Sequence, residues 1–74
     1  MEFQKVQEMI SKMTGIEPGM IAPERNLFAD LGMDDCSVFE LVLELERHFE
    51  VVIRREDMAD WETVEDVWQT VKGG

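Results

Sequence analysis

Leu31-Gly32-Met33-Asp34-Asp35-Cys36-Ser37-Val38-Phe39-Glu40-Leu41 reads as the entry into a helix, and the fold follows from that entry. Asp34, placed after Gly32, is a good N-cap because its short carboxylate can accept from the free N–H groups of the first turn. Asp35 adds a second negative charge near the positive end of the helix dipole. The spacing predicts a helix running to about Glu50. On a wheel of about 100° per residue, Val38, Leu41, Val42, Leu45 and Phe49 crowd one arc, with His48 on its edge. That arc is the expected core face.

Upstream, Phe3, Val6, Ile10 and Met13 recur at helical spacing, with Met9 at their margin and Gln4, Lys5, Glu8 and Lys12 elsewhere, which predicts a first helix over 3–13. Gly15 ends it, and Glu17-Pro18-Gly19 makes a turn. A structureless connection from Ile16 to Met33 would be unusual in so small a chain. Ile16, Met20, Ile21, Leu27, Phe28 and Leu31 are expected to pin it to the core, with short turns at Pro23-Glu24 and over Asn26 to Asp30. Downstream, Val51-Val52-Ile53 has no second strand to pair with and reads as a packed connection. Arg55 to Ala59 is the expected short third helix, and Trp61 an anchor behind it. Thr63 and Asp66 have the spacing of a capping motif, after which Val64, Val67, Trp68 and Val71 form the inner face of a last helix. Gly73-Gly74 is expected to fray. Ubiquitin-like modifiers share that tail, but their fold needs a sheet that this chain does not supply.

These 74 residues amount to one domain, 1–74, near the size at which a single core only just suffices. Hydrophobic residues make up 45%, which is globular rather than disordered, so the formal charge of -10 belongs to a folded surface. Such a surface repels phosphate backbones and anionic headgroups, so neither nucleic acid nor membrane is expected as a partner, and basic protein patches are. Cys36 is the lone cysteine, which excludes an internal disulfide and a multi-cysteine metal site. The start Met1-Glu2-Phe3-Gln4-Lys5 lacks the pattern of a secretory signal, and no apolar run reaches the length of a membrane span, so a cytoplasmic monomer is expected.

The stretch Leu31-Gly32-x-Asp34, with Ile21-x-Pro23 and Leu27-Phe28-x-Asp30 before it, resembles the acyl carrier proteins. In that family Leu-Gly-x-Asp-Ser-Leu opens the second helix and the serine bears 4′-phosphopantetheine, the family cofactor. The resemblance covers nearly the whole chain, from Phe3 to Val71. It implies an all-α, four-helix acyl-carrier-like bundle, with three longer helices, one short helix and a long loop between helices one and two. Aligned without gaps, the serine falls on Asp35 and the leucine on Cys36, and a carboxylate cannot replace a hydroxyl as the nucleophile on coenzyme A. The expectation is therefore a non-enzymatic protein that docks on enzymes of fatty-acid, polyketide or related acyl metabolism, or on a dedicated partner, without phosphopantetheine. The alternative is a working carrier, modified at Ser37 or with its own serine replaced by Asp35. Ser37 lies two residues along the helix, a rotation of about 200° from Asp35.

Phe39 and Leu43 lie off the core arc, on the flank that carries Asp35, Cys36, Glu46 and Glu50. Large apolar groups beside carboxylates suit a protein-docking surface. The competing reading turns Phe39 inward to fill the core. In the family these positions, together with Asp34 and Glu40, belong to the acidic helix that partners recognise through Arg and Lys. Arg47, Arg54 and Arg55 stand where the resemblance leads one to expect acids or a proline, which implies a narrower or different partner set. Cys36 reads either as a direct acyl acceptor, made sluggish by Asp34 and Asp35, or as a small apolar substitute for leucine. His48 has no catalytic companion and reads as structural. The pairs Asp34-Asp35 and Glu56-Asp57 lack the ligand spacing of a calcium loop, and no metal site is expected. Met13, Met20 and Met33 read as gap-filling residues in or over the core.

Overall fold

Apolar periodicity and capping residues place the helices. A computed structural model describes residues 2–73; Met1 and Gly74 lie outside the described residues. Four α-helices follow in order: α1 (Glu2–Thr14), α2 (Asp35–Phe49), α3 (Arg55–Ala59) and α4 (Val64–Gly73), with a 3-10 turn at Pro18–Met20 in the long α1–α2 connection. No strand occurs among the described residues. The one β-type pairing there is an isolated antiparallel bridge between Asn26 and Thr63.

The core is built from Val6 and Ile10 of α1, Val38, Leu41, Val42 and Leu45 of α2, and Val64, Val67 and Val71 of α4. Ile21, Leu27, Leu31, Met33, Ile53 and Trp61 fill it from the connections. Short β-branched side chains on α4 bring it close to the bundle, while Trp68 stays half-buried and meets the ring of Phe3 edge-on at 5.9 Å. No residue of α3 is fully buried; Met58 packs partly against the core. Gly15 closes α1 at φ 79, and its N–H reaches the Ser11 carbonyl at 2.8 Å. Glycine adopts this left-handed conformation without steric cost.

The long connection satisfies its own polar groups. Asn26 Oδ1 accepts from the N–H groups of Phe28 and Ala29 at 2.9 and 2.8 Å, and Asp30 Oδ2 accepts from the Asn26 N–H at 2.8 Å. This Asx turn makes a tight knot over Asn26 to Asp30. The knot is tied to the start of α4: Leu27 N–H donates to the Glu62 carbonyl (2.8 Å), Val64 N–H to Arg25 (3.1 Å) and Glu65 N–H to Pro23 (2.8 Å). The Gln7 side chain ties the same connection to α1, donating to the Ile21 carbonyl at 2.9 Å.

Several positions depart from the expectation. Met20 and Phe28 are exposed at 55% and 42%, not pinned to the core. Each precedes or follows a fully buried neighbour, Ile21 and Leu27: Met20 ends the 3-10 turn, none of whose residues is buried, and Phe28 lies in the turn after Asn26. Val52 is exposed at 81%, between half-buried Val51 and buried Ile53. His48 lies in solvent, not at the core edge, with its ring edge-on to Phe49 at 4.9 Å. Gly73, expected to fray, is the last residue of α4.

Thr63 and Asp66 cap α4 reciprocally. Asp66 Oδ2 accepts from the N–H groups of Glu62 (2.9 Å) and Thr63 (3.1 Å), while Thr63 Oγ1 accepts from the Asp66 N–H (3.3 Å). The Glu62 and Thr63 N–H groups hold the Asp66 carboxyl below the usual carboxylate range. A carboxyl whose folded pKa lies below its unfolded value of about 3.9 contributes its full stabilisation above that value and loses it as pH falls through the folded pKa. Asp66→Ala is expected to destabilise the fold by about 1–2 kcal/mol near neutrality and to flatten the acid limb of stability, measured by urea melts from neutral to strongly acidic pH.

Candidate functional site

Helix α2 begins as its sequence dictates. Asp34 is the N-cap in extended conformation (φ -127, ψ -176), and its carboxylate accepts from the Ser37 N–H at 2.8 Å. The backbone N–H and the hydroxyl of Ser37 together hold the Asp34 carboxyl below its ordinary range. Ser37 is half-buried. Asp35 and Cys36 of the same turn are exposed.

Between the start of α2 and α3 lies an open groove of about 680 Å³. Asp35, Val38 and Phe39 line it from α2, Arg55, Met58 and Ala59 from α3, and Phe28 and buried Trp61 from the connections. Phe39 is exposed at 56% and does not turn inward; one helical turn later Leu43 is exposed at 46%. The four buried positions of α2 already occupy its core arc, which leaves these two outside.

The other acids of the flank are used differently. Glu46 is half-buried, and its Oε2 accepts from the Ile53 N–H at 2.9 Å, holding the chain as it leaves α2. Glu50 sits just beyond α2 in the left-handed region (φ 55, ψ 47), a conformation that costs a side-chain-bearing residue energy. Glu40 is on the other side of the helix, where it and Glu44 face Met9, Lys12 and Met13 of α1 across a cleft of about 400 Å³. The structure therefore gathers Asp35 and Phe39 at the groove, sets Leu43 beside them, and separates Glu40. Phe28, from one segment, and Arg55, Met58 and Trp61, from another within 55–61, complete the groove beside α2, so no spacing around α2 reveals them. Among the described residues no group of three or more His, Cys, Asp and Glu is placed to hold a metal ion. No helix there is long and apolar enough to cross a membrane.

A four-helix bundle with a capped second helix beside an open groove defines the class. Residues 4–71 match the family described as "Phosphopantetheine attachment site", and the chain belongs to it. The chain is 39% identical over 64 residues to the acyl carrier protein of Syntrophobacter fumaroxidans, an alignment covering 86% of this chain and 79% of that protein. It is 40% identical over 62 residues to the meromycolate extension acyl carrier proteins of Mycobacterium leprae and Mycobacterium tuberculosis, covering 84% of this chain and 54% of theirs. The chain thus spans about half the length of these mycobacterial relatives. Members of the family are carriers, not catalysts.

The family's prosthetic group is held by a phosphodiester, which requires an alcohol. The exposed residues at the start of α2 present the carboxylates of Asp34 and Asp35 and the thiol of Cys36, and the one hydroxyl of this turn, on Ser37, is half-buried. This donor set does not fit the group.

Because Glu46 serves the fold, its replacement has a structural cost separate from any docking role. Glu46→Lys is expected to lower stability by about 1 kcal/mol while Glu46→Gln, which keeps an acceptor for the Ile53 N–H, stays close to the parent, as read from denaturant midpoints.

Proposed function

We propose that the chain is an acyl-carrier-like protein that docks on enzymes of fatty-acid, polyketide or related acyl metabolism, or on a dedicated partner, without itself carrying phosphopantetheine. What supports this reading is the sequence itself: with Leu31-Gly32-x-Asp34 set without gaps on the family's Leu-Gly-x-Asp-Ser-Leu, the residue that follows is the carboxylate Asp35 and not a serine. Docking uses Asp35, Cys36, Phe39 and Leu43, with Glu50 further along the flank. The exposure of Phe39 and Leu43 supports this, since two large apolar groups in solvent beside acids suit a protein interface. Asp34 and Glu46 shape the site through their backbone contacts, and Glu40 adds charge on the neighbouring face. Basic patches are the complementary partner surface.

Modification at Ser37 is disfavoured by its half-buried position and by its place about 200° around the helix from Asp35. Intact mass after incubation with coenzyme A and a phosphopantetheinyl transferase tests the reading. The chain is expected to keep its mass, and Asp35→Ser to gain one phosphopantetheine. A gain on the unaltered chain that maps to Ser37 would establish a working carrier instead.

With one acyl-metabolism enzyme identified as a partner, Leu43→Ala is expected to speed dissociation about tenfold with little change in association, because apolar contacts act mainly on the off-rate. Surface plasmon resonance reads both rates. Unchanged dissociation would place the interface elsewhere.

A further inference from the structure

The α3 side of the groove carries a conflict between side chain and backbone. Arg54 is the N-cap of α3 and Arg55 its first residue. A cation there meets the positive end of the helix dipole, and an arginine has no acceptor for the free N–H groups of the first turn. The compensation comes from Asp57, whose Oδ2 accepts from the Arg54 N–H at 3.0 Å. Arg55 is exposed and belongs to neither of the ion pairs among the described residues, Lys5–Glu8 and Arg47–Glu44. It lines the groove together with Asp35, Val38, Phe39 and Met58. A charge that opposes its own helix and forms no ion pair among the described residues is where local rules yield to function.

Resting on the docking reading above, we propose that Arg55 is the specificity-determining residue of this groove. It selects a protein partner that sets a basic side chain against Asp35, an apolar side chain between Phe39 and Met58, and an acidic side chain against Arg55. It rejects a partner whose contact patch is basic throughout, because such a patch meets Asp35 favourably and Arg55 with like charge. Other occupants fit less well. A free acyl carboxylate would be drawn to Arg55 but repelled by Asp35, and a second copy of a chain with a net charge of -10 is repelled overall.

The test uses the intact chain as a competitive inhibitor of a phosphopantetheinyl transferase with a basic carrier-binding patch, acting on a serine-bearing acyl carrier protein. Arg55→Glu is expected to lower the inhibition constant about tenfold at low salt, with the gain shrinking as ionic strength rises. Arg54→Glu removes the same kind of cation from the same helix start but does not line the groove, and is expected to change the constant less than twofold. A transferase variant carrying Glu in place of the basic residue that faces α3 is expected to reverse the preference, favouring the native Arg55.

Equal inhibition by the native chain and both variants leaves docking intact and overturns the role of Arg55. An equal gain from Arg54→Glu and Arg55→Glu also overturns it, since general charge then suffices. If neither the native chain nor Arg55→Glu inhibits, the docking reading fails and this proposal falls with it. A dimer in sedimentation that Arg55→Glu dissolves, or saturable binding of decanoate that the same change abolishes, assigns the groove to another occupant and likewise overturns the proposal.

Discussion

The knot at Asn26 and its attachment to the first turn of α4 is the constraint on which the arrangement depends. A long connection in so small a chain must find partners for its backbone without a sheet. The carbonyls of Pro23 and Arg25 receive the N–H groups of Glu65 and Val64, and the Glu62 carbonyl receives the Leu27 N–H. These are among the N–H groups that a helix start leaves without internal partners. Each segment thus satisfies the other, and Leu27 is buried completely between them. The same contact sets Phe28 at the groove and delivers the chain to Asp34 at the start of α2.

From this arrangement follows an uneven division of labour along α2. Its inner arc takes Val38, Leu41, Val42 and Leu45, which suffice to close the core against α1 and α4. Phe39 and Leu43 are left in solvent, larger than the surface requires and flanked by acids. The acids are not equivalent. Asp34 and Glu46 accept backbone N–H groups at the two ends of the helix, so their charges are partly spent on the fold, while Asp35 is exposed to solvent. Glu50 holds a left-handed conformation that glycine would adopt more readily.

Helix positions were legible wherever a periodic apolar arc met a recognisable cap. Asp34 before α2 and Thr63 with Asp66 at the start of α4 behave as their spacing predicts, because capping bonds span only three residues and need no distant partner. Legibility failed in the connections. Met20, Phe28 and Val52 are as apolar as their buried neighbours, and which of two adjacent side chains turns inward depends on backbone angles outside any regular repeat. Phe39 and Leu43 lie off the core arc, as their spacing predicts, and Asp35 is exposed on the same helix. That spacing could not show that Glu46 is tied to Ile53 or that Glu40 looks toward α1.

By itself the sequence determined the helical class, the caps and the core arcs. All of these rest on residue identity and on separations of a few residues, over which helix geometry is constant. Only the tertiary structure decided that Phe28, Arg55, Met58 and Trp61 meet Asp35 and Phe39 around one groove. Those contacts join segments far apart in the chain, and their positions depend on how α3 and the Asn26 knot are held by backbone bonds. No local pattern encodes that placement, because the closing carbonyls of Pro23, Arg25 and Glu62 are groups that every residue carries.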